Sequence, residues 1–340
     1  MQTKDFYYEL PKNLIAQTPM EKRDNSRLMV LNRETKEISD KIFYNIVDYI
    51  NEGDGLVVNN TKVIAARLFG RKNAGQAMIE VFLLKRLSLD LWEVLLKPGK
   101  KLHIGDKVVF REDVFAELIG KNEDGTAKVK FYYEGVFENI LDELGQTPLP
   151  PYITQQLSDK SRYQTVYAKV EGSCAAPTAG FHFTNGLLDK LKDKGVIILP
   201  VLLHVGLGTF RPVKEKNIKD HKMHEEYYCV SEDTARKYND IKNLGKKIFA
   251  VGTTSVRTLE TVADENGMLK EAQGNTGIFI YPGYKFKTVD HIITNFHIPE
   301  STLLMLVSAF AGKDFILKAY DEAVKKEYRF FSFGDAMLIL

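Results

Sequence analysis

A chain of 340 residues is long enough for two domains, and 44% hydrophobic with 27% charged residues is a globular rather than a disordered composition. Its 47 basic and 45 acidic side chains cancel to +2, so bulk charge neither demands nor excludes nucleic acid, which would need a local basic patch. Two cysteines, Cys174 and Cys229, without Cys-x-x-Cys spacing exclude a zinc knuckle or disulfide framework and fit a reducing, cytoplasmic location. The amino terminus carries no apolar signal segment. The apolar runs 196–205 and 303–311 are too short to span a bilayer, so no membrane partner is expected.

In chain order, residues 28–32 read as a strand, and Ile42, Ile46, Val47 and Ile50 stand at helical spacing. Gly53-Asp-Gly breaks that pattern before Leu56-Val-Val-Asn-Asn, a buried strand closing on paired amides. From about 68 to 133 the texture changes. Short β-rich runs at 66–71, 77–86, 92–97, 107–110, 114–119 and 127–132 are separated by Asn73-Ala-Gly, Pro98-Gly, Gly105-Asp and Asp124-Gly, all turn chemistry. That spacing predicts an antiparallel barrel or sandwich. Helical spacing resumes over 136–144, and Pro148-Leu-Pro-Pro-Tyr reads as a stiff exit. The flanking halves read as one domain. The expected division is therefore a large layered α/β catalytic domain, 1–67 with 148–340, interrupted by a small antiparallel β-barrel domain, 68–147.

After residue 184 strands and helices alternate. Helices are predicted over 187–194, 231–244, 255–264, 300–311 and 315–328, and strands over 196–204, 247–253, 277–281 and 292–295, with 336–340 closing the chain. Such alternation implies a layered sheet with parallel portions.

Chemistry-bearing residues concentrate outside the β-rich stretch. Residues 162–184 gather Arg162, Tyr163, Tyr167, Thr178, His182 and Phe183 around small residues and Pro177, which suits a pocket wall better than a regular element. Cys174, in Ala-rich surroundings, reads as packing. His204-Val-Gly-Leu-Gly-Thr-Phe follows an apolar strand, where open α/β sheets bind ligands, though Gly206 and Gly208 complete no dinucleotide fingerprint. In Gly252-Thr-Thr-Ser-Val-Arg, Thr253, Thr254 and Ser255 are natural N-cap residues. With Arg257 they form either a carboxylate or phosphate receptor or a well-capped helix with a structural arginine. His221 and His224 at i, i+3 with Glu225 and Glu226 lack a third ligand at metal spacing, so no metal is expected and acid–base or hydrogen-bonding roles are favoured. His297 lies between a strand and a helix. Candidate basic groups for RNA are Lys97, Lys100 and Lys101; Lys242, Lys246 and Lys247; and Lys325, Lys326 and Arg329.

Several stretches together resemble one family, the S-adenosylmethionine:tRNA ribosyltransferase-isomerases of the queuosine pathway. They are Asp5-Phe-Tyr-Tyr-Glu-Leu-Pro, Asp24-Asn-Ser-Arg-Leu, Val58-Asn-Asn-Thr-Lys-Val, Arg162-Tyr-Gln-Thr-Val-Tyr and Ala175-Ala-Pro-Thr-Ala-Gly-Phe-His-Phe-Thr. His204-Val-Gly-Leu-Gly-Thr-Phe, Met223-His-Glu-Glu, Gly252-Thr-Thr-Ser-Val-Arg, Asn295-Phe-His-Ile-Pro-Glu-Ser-Thr-Leu-Leu and Tyr328-Arg-Phe-Phe-Ser-Phe-Gly-Asp-Ala-Met complete the set. They run in order along nearly the whole chain, with mild departures such as Phe181 where leucine is expected.

The resemblance implies an α/β domain interrupted by a β-barrel. It also implies transfer of the ribosyl part of S-adenosylmethionine to 7-aminomethyl-7-deazaguanine at the tRNA wobble position, with adenine and methionine released and epoxyqueuosine formed. S-adenosylmethionine is then a cosubstrate, no cofactor is required, and a monomer is expected. A sulfonium acidifies the adjacent C5′ protons, so a base is needed; adenine needs a proton donor. His182, His204, His224 and Glu225 compete for these positions, His182 first. Residues 252–257 suit the methionine carboxylate. Asn59, Asn60 or the 175–180 turn with Thr178 suit adenine, and Tyr163, Tyr167 or Phe183 suit stacking of the flipped base. Arg162, with Tyr163 and Tyr167, is expected on the tRNA side, and His297 among the substrate contacts. Two rival readings are an S-adenosylmethionine-dependent RNA methyltransferase and a non-catalytic RNA-binding protein built on the barrel.

Overall fold

The computed structural model describes all residues except 74, 156, 158, 207–212 and 214. It divides into two compact units, Met1–Lys62 with Pro150–Val170 and Ala176–Leu340, and Val63–Leu149 with Glu171–Ala175. The second unit thus takes in residues 171–175 as well as the β-rich stretch. The amide of Ile64 donates to the Ser173 carbonyl at 3.0 Å, and the Cys174 thiol donates to the Leu83 carbonyl at 3.2 Å. Cys174 is a packing residue, as its surroundings imply.

Strands β1 (Arg27–Leu31), β2 (Ile38–Ile42), β3 (Gly55–Asn59) and β4 (Thr61–Val63) come first. Six strands follow in the smaller unit: β5 (Arg67–Lys72), β6 (Met78–Arg86), β7 (Leu91–Lys97), β8 (Lys107–Arg111), β9 (Val114–Lys121) and β10 (Ala127–Tyr132). They close into an antiparallel barrel in the order β10-β7-β6-β5-β8-β9. Alternate side chains such as Ile79, Val81 and Leu83, or Ala127, Val129 and Phe131, are buried, the period of two that a barrel wall requires. Helix α1 (Phe137–Leu144) turns Phe137, Ile140 and Leu141 inward.

β11 (Val170–Ser173) lies, but for Val170, in the smaller unit; the larger unit continues with α2 (Asn185–Asp193), β12 (Ile197–Leu203), β13 (Glu226–Val230), α3 (Glu232–Asn243), β14 (Ile248–Val251) and α4 (Gly252–Val262). It closes with β15 (Ala272–Thr276), β16 (His291–Asn295), α5 (Thr302–Ala311), α6 (Lys313–Lys325) and β17 (Ala336–Ile339). Nine strands form one sheet in the order β15-β13-β12-β3-β14-β16-β17-β1-β2. Its centre, β12-β3-β14-β16, is parallel, and β13, β15, β17 and β2 each pair antiparallel with at least one neighbour.

Both faces are covered, which explains why the strands read as continuous apolar runs. Met29, Leu31, Val57, Ala250, Ile292, Met337 and Ile339 join one core with α3, α4, α5 and α6. Their alternates Leu28, Val30, Leu56, Val58, Val251, Ile293 and Leu338 join the other with α2 and Phe43. The structure is therefore a large layered α/β unit and a closed barrel.

Two expected elements change. Residues 42–50 form a 3₁₀ helix, Phe43–Asp48, which still buries Phe43 and Ile46. The strand expected at 277–281 lies earlier, at Ala272–Thr276. Thr276 Oγ1 accepts from the Ile278 amide at 3.2 Å and turns the chain out of the sheet, while Ile280 fills the core from a loop.

Candidate functional site

A cleft of about 630 Å³, its open mouth included, lies at the carboxyl ends of the central parallel strands. Val205 follows β12, Gly252, Thr253 and Thr254 follow β14, and Thr294–Ile298 close β16; residues 176–179 and Ser332 complete much of the wall. This is where an open α/β sheet presents its loops. Of the expected site residues, Thr178, Thr253, Thr254 and His297 line it.

Thr253 and Thr254 stand in the first turn of α4 rather than capping it. Val251 holds the N-cap position and no side chain bonds the helix start. Gly252 enters the helix at φ +82, a conformation that favours glycine. The Thr254 hydroxyl is buried and has no hydrogen-bond partner among the described residues. An uncapped helix start beside a free hydroxyl can receive an anion.

Ser255 and Arg257 take structural roles instead. The Ser255 hydroxyl bonds the Val251 carbonyl at 2.7 Å one turn back. Arg257, 2% exposed, forms a buried ion pair with Glu226, whose other oxygen accepts from the Gly206 amide at 2.9 Å. The buried acid of the His-Glu-Glu stretch is thus Glu226, while His224 and Glu225 are exposed and away from the cleft. Their expected acid–base role has no support in this geometry.

His297 is the histidine in the cleft. Its Nε2 pairs with Thr294 Oγ1 at 2.9 Å, and its backbone is pinned by the Tyr320 hydroxyl, which accepts from its amide at 2.9 Å, and by the Tyr8 hydroxyl, which donates to its carbonyl at 2.5 Å. Burial pushes its pKa down to about 3. His182 lies in a neighbouring cavity of about 270 Å³, with Arg23, Ser26 and Arg162. Its Nδ1 is 2.7 Å from Ser26 Oγ, its ring stacks on Phe43 at 4.9 Å, and its Nε2 lacks a partner among the described residues. Burial pushes its pKa to about 3, with Asn295 pulling upward and the charges of Arg23 and Arg329 pushing further down. Ser332 lines both cavities. His204 is half-buried, its Nδ1 2.8 Å from Thr61 Oγ1 and its ring 5.8 Å from Tyr227, and burial lowers its pKa. The glycine loop after it, from 207, lies outside the described residues.

The aromatic and amide expectations are largely displaced. Phe183 is fully buried against Phe43, and Tyr163 is fully buried between Phe181 and Phe333, so neither offers a face to a flipped base. Tyr167 is half-buried; its hydroxyl packs so closely on Gly180 that a Cβ there would collide with it. The Asn59 amide joins β3 to β12, donating to the Leu203 carbonyl at 2.9 Å and accepting from the amides of Leu203 at 3.1 Å and Thr61 at 3.2 Å. One amide hydrogen of this fully buried side chain is left over. Asn60 accepts from the Lys169 and Val170 amides through its carbonyl and is not part of the cleft wall. Of the lysine groups, Lys242 and Lys247 flank Asp290 at 3.6 and 3.7 Å, and Lys325 and Lys326 pair with Asp321 and Asp40 at 2.5 and 2.7 Å.

A family model described as queuosine biosynthesis protein matches residues 3–339. The chain belongs to that family. It is 59% identical over the full length of both chains to a Thermoanaerobacter protein, and 60% to one from Acetivibrio thermocellus, each named S-adenosylmethionine:tRNA ribosyltransferase-isomerase. A solved structure of an S-adenosylmethionine tRNA ribosyltransferase from Thermotoga maritima shares 45% identity at a TM-score of 0.58, covering 99% of this chain and all of that one. Among the described residues of this family member, no helix is long and apolar enough to cross a membrane.

Sequence reasoning missed Arg23, Ser26, Glu226 and Asn295 as parts of these cavities and their supports. Ser26 lay inside a quoted motif, Asp24-Asn-Ser-Arg-Leu, but its partner is 156 residues away. Asn295 opens the motif that carries His297, and its buried Oδ1 has no partner among the described residues.

Proposed function

We infer that the chain transfers the ribosyl part of S-adenosylmethionine to 7-aminomethyl-7-deazaguanine at the wobble position of tRNA. The ribosyl unit is isomerised to the epoxide-bearing cyclopentane of epoxyqueuosine, and adenine and methionine are released. The observation that carries this reading is full-length likeness, at 58–60% identity, to proteins of that name. S-adenosylmethionine acts as a cosubstrate without a further cofactor or metal, and the enzyme works as a cytoplasmic monomer.

In this reading the cleft holds the cosubstrate. Its methionine carboxylate meets the uncapped start of α4 and the Thr254 hydroxyl, whose unmet hydrogen bond supports the assignment. Thr178 and Thr253 lie along the same wall and contact the remainder. His297, kept neutral by burial, meets the reacting end as a hydrogen-bonding group, and Thr294 pairs with its Nε2. His182 lies behind the wall, near enough to Asn295 for that amide to act on its ring. His204 supports the loop after β12. Arg162 faces the tRNA side, beside Tyr167.

Incubating the protein with S-adenosylmethionine labelled in the ribose and tRNA bearing the aminomethyl-deazaguanine tests the reading. Nucleoside mass analysis should show the added cyclopentane, with adenine and methionine in equal amounts. S-adenosylhomocysteine with a methyl-sized mass gain would point to a methyltransferase. An unshifted nucleoside with intact cosubstrate would leave only an RNA-binding protein.

A further inference from the structure

We propose that Arg23 and Arg162, which line the cavity in front of His182, form a receptor for a phosphodiester of the tRNA backbone. This rests on the tRNA reading above and adds where one phosphate docks.

Arg23 and Arg162 at the cavity, and Arg329, whose charge also reaches His182, have backbone carbonyls as partners. Arg23 donates from Nη1 to the Phe181 carbonyl and from Nη2 to the Ser161 carbonyl, both at 3.3 Å, and lies over the Phe181 ring at 5.5 Å. Arg162 donates from Nη1 to the Glu21 carbonyl at 3.4 Å and from Nη2 to that of Met20. Arg329 donates from Nη2 to the Thr18 carbonyl. Carbonyls orient a guanidinium without cancelling its charge. Among the described residues none of the three has an ion pair with a carboxylate, and the Nε of Arg162 and one terminal nitrogen of Arg329 are buried without a partner.

The charges are mutually felt. Burial lowers the Arg23 pKa, and Arg162 lowers it further; Asp159, on the exposed side, opposes both. Arg23 and Arg329 together act on His182. Asp159 offsets part of the charge of Arg23 and Arg162, and buried Asp335 part of that of Arg329; the charge that remains is costly unless an anion joins it. The planar guanidinium forks suit a phosphate, which they bind in pairs of parallel hydrogen bonds. The lysine groups 242–247 and 325–326 are by contrast partly neutralised by Asp290, Asp321 and Asp40. The arginine cavity is the better electrostatic footprint.

The test measures tRNA binding by filter retention across salt concentrations for the wild type, R23Q, R162Q and R162K, with KM for S-adenosylmethionine and wild-type turnover on the same tRNA. R23Q and R162Q should each weaken tRNA binding about tenfold and reduce the salt slope by about one, leaving KM for S-adenosylmethionine unchanged. R162K should keep the slope and lose part of the affinity; it decides the matter should R162Q fail to fold. Wild-type affinity and slope in variants of an enzyme that still modifies tRNA would overturn the receptor alone. A rise in KM for S-adenosylmethionine without loss of tRNA affinity would also overturn it, placing the methionine carboxylate there. A wild type inert towards tRNA would overturn the underlying reading and the receptor with it.

Discussion

The barrel and the carboxyl end of the nine-stranded sheet handle polar groups in opposite ways. In the barrel, charged side chains find partners at the surface: Arg111 with Asp113 at 2.6 Å and Glu143 at 2.8 Å, Arg86 with Glu138 at 2.6 Å, Lys72 with Asp106 at 2.7 Å. At the sheet end, Thr254 Oγ1 is buried and lacks a partner among the described residues, while His182 Nε2 and Asn295, also buried, act on each other without a well-formed bond. Buried polar groups are normally satisfied, so an unmatched one on a cleft wall marks where a ligand completes the bonding. The barrel pairs its surface charges, though Trp92 Nε1 is buried there without a partner; at the sheet end the unmatched Thr254 hydroxyl faces a cleft.

The largest contrast should come from the ion pair beneath the cleft. Glu226→Ala strands the Arg257 charge at 2% exposure, and denaturant unfolding should show a loss of about 3–5 kcal/mol. Acid should come next. His182 and His297 have folded pKa values of about 3, well below the unfolded value of about 6.5. The unfolded chain therefore binds more protons between those limits, and stability should be full above pH 6.5 and fall as pH drops towards 3. The slope is on the order of 1 kcal/mol per pH unit for each histidine. His182→Gln with His297→Gln should flatten it, and an unchanged slope would mean that both rings are already charged in the fold.

Thr254→Val should separate binding from folding. It removes a hydroxyl with no internal bond, so S-adenosylmethionine affinity should fall about tenfold while the unfolding midpoint moves little. A shifted midpoint with intact affinity would turn Thr254 into an ordinary core residue. The smallest effect belongs to the barrel surface. Arg111→Ala should leave both unfolding and turnover within error, because exposed ion pairs contribute little.

These contrasts also separate what could be read from the sequence. The barrel strands were legible because a period of two is broken by turn residues, and closure rather than a sandwich follows only from the pairing of β5 with β8 and β10 with β7. The 277–281 segment misled because Ile278 and Ile280 are apolar for core packing without a strand partner. At the site, Thr253, Thr254 and His297 were legible because each follows a strand of the parallel core. Asn59 was not, because its amide is spent on Leu203, 144 residues away. The choice between the two readings of Arg257 was not legible either, because its partner Glu226 lies on another strand. Local spacing carries strand ends and turns; partners across the sheet decide which polar groups remain for chemistry.

The most direct measurement is a crystal structure of the protein with a non-reactive S-adenosylmethionine analogue. The account predicts the ligand in the cleft, its carboxylate at the start of α4 with Thr254 Oγ1 donating to it, and its ribose facing His297. A ligand bound elsewhere, or one in the cleft with its carboxylate turned away from α4, would contradict it.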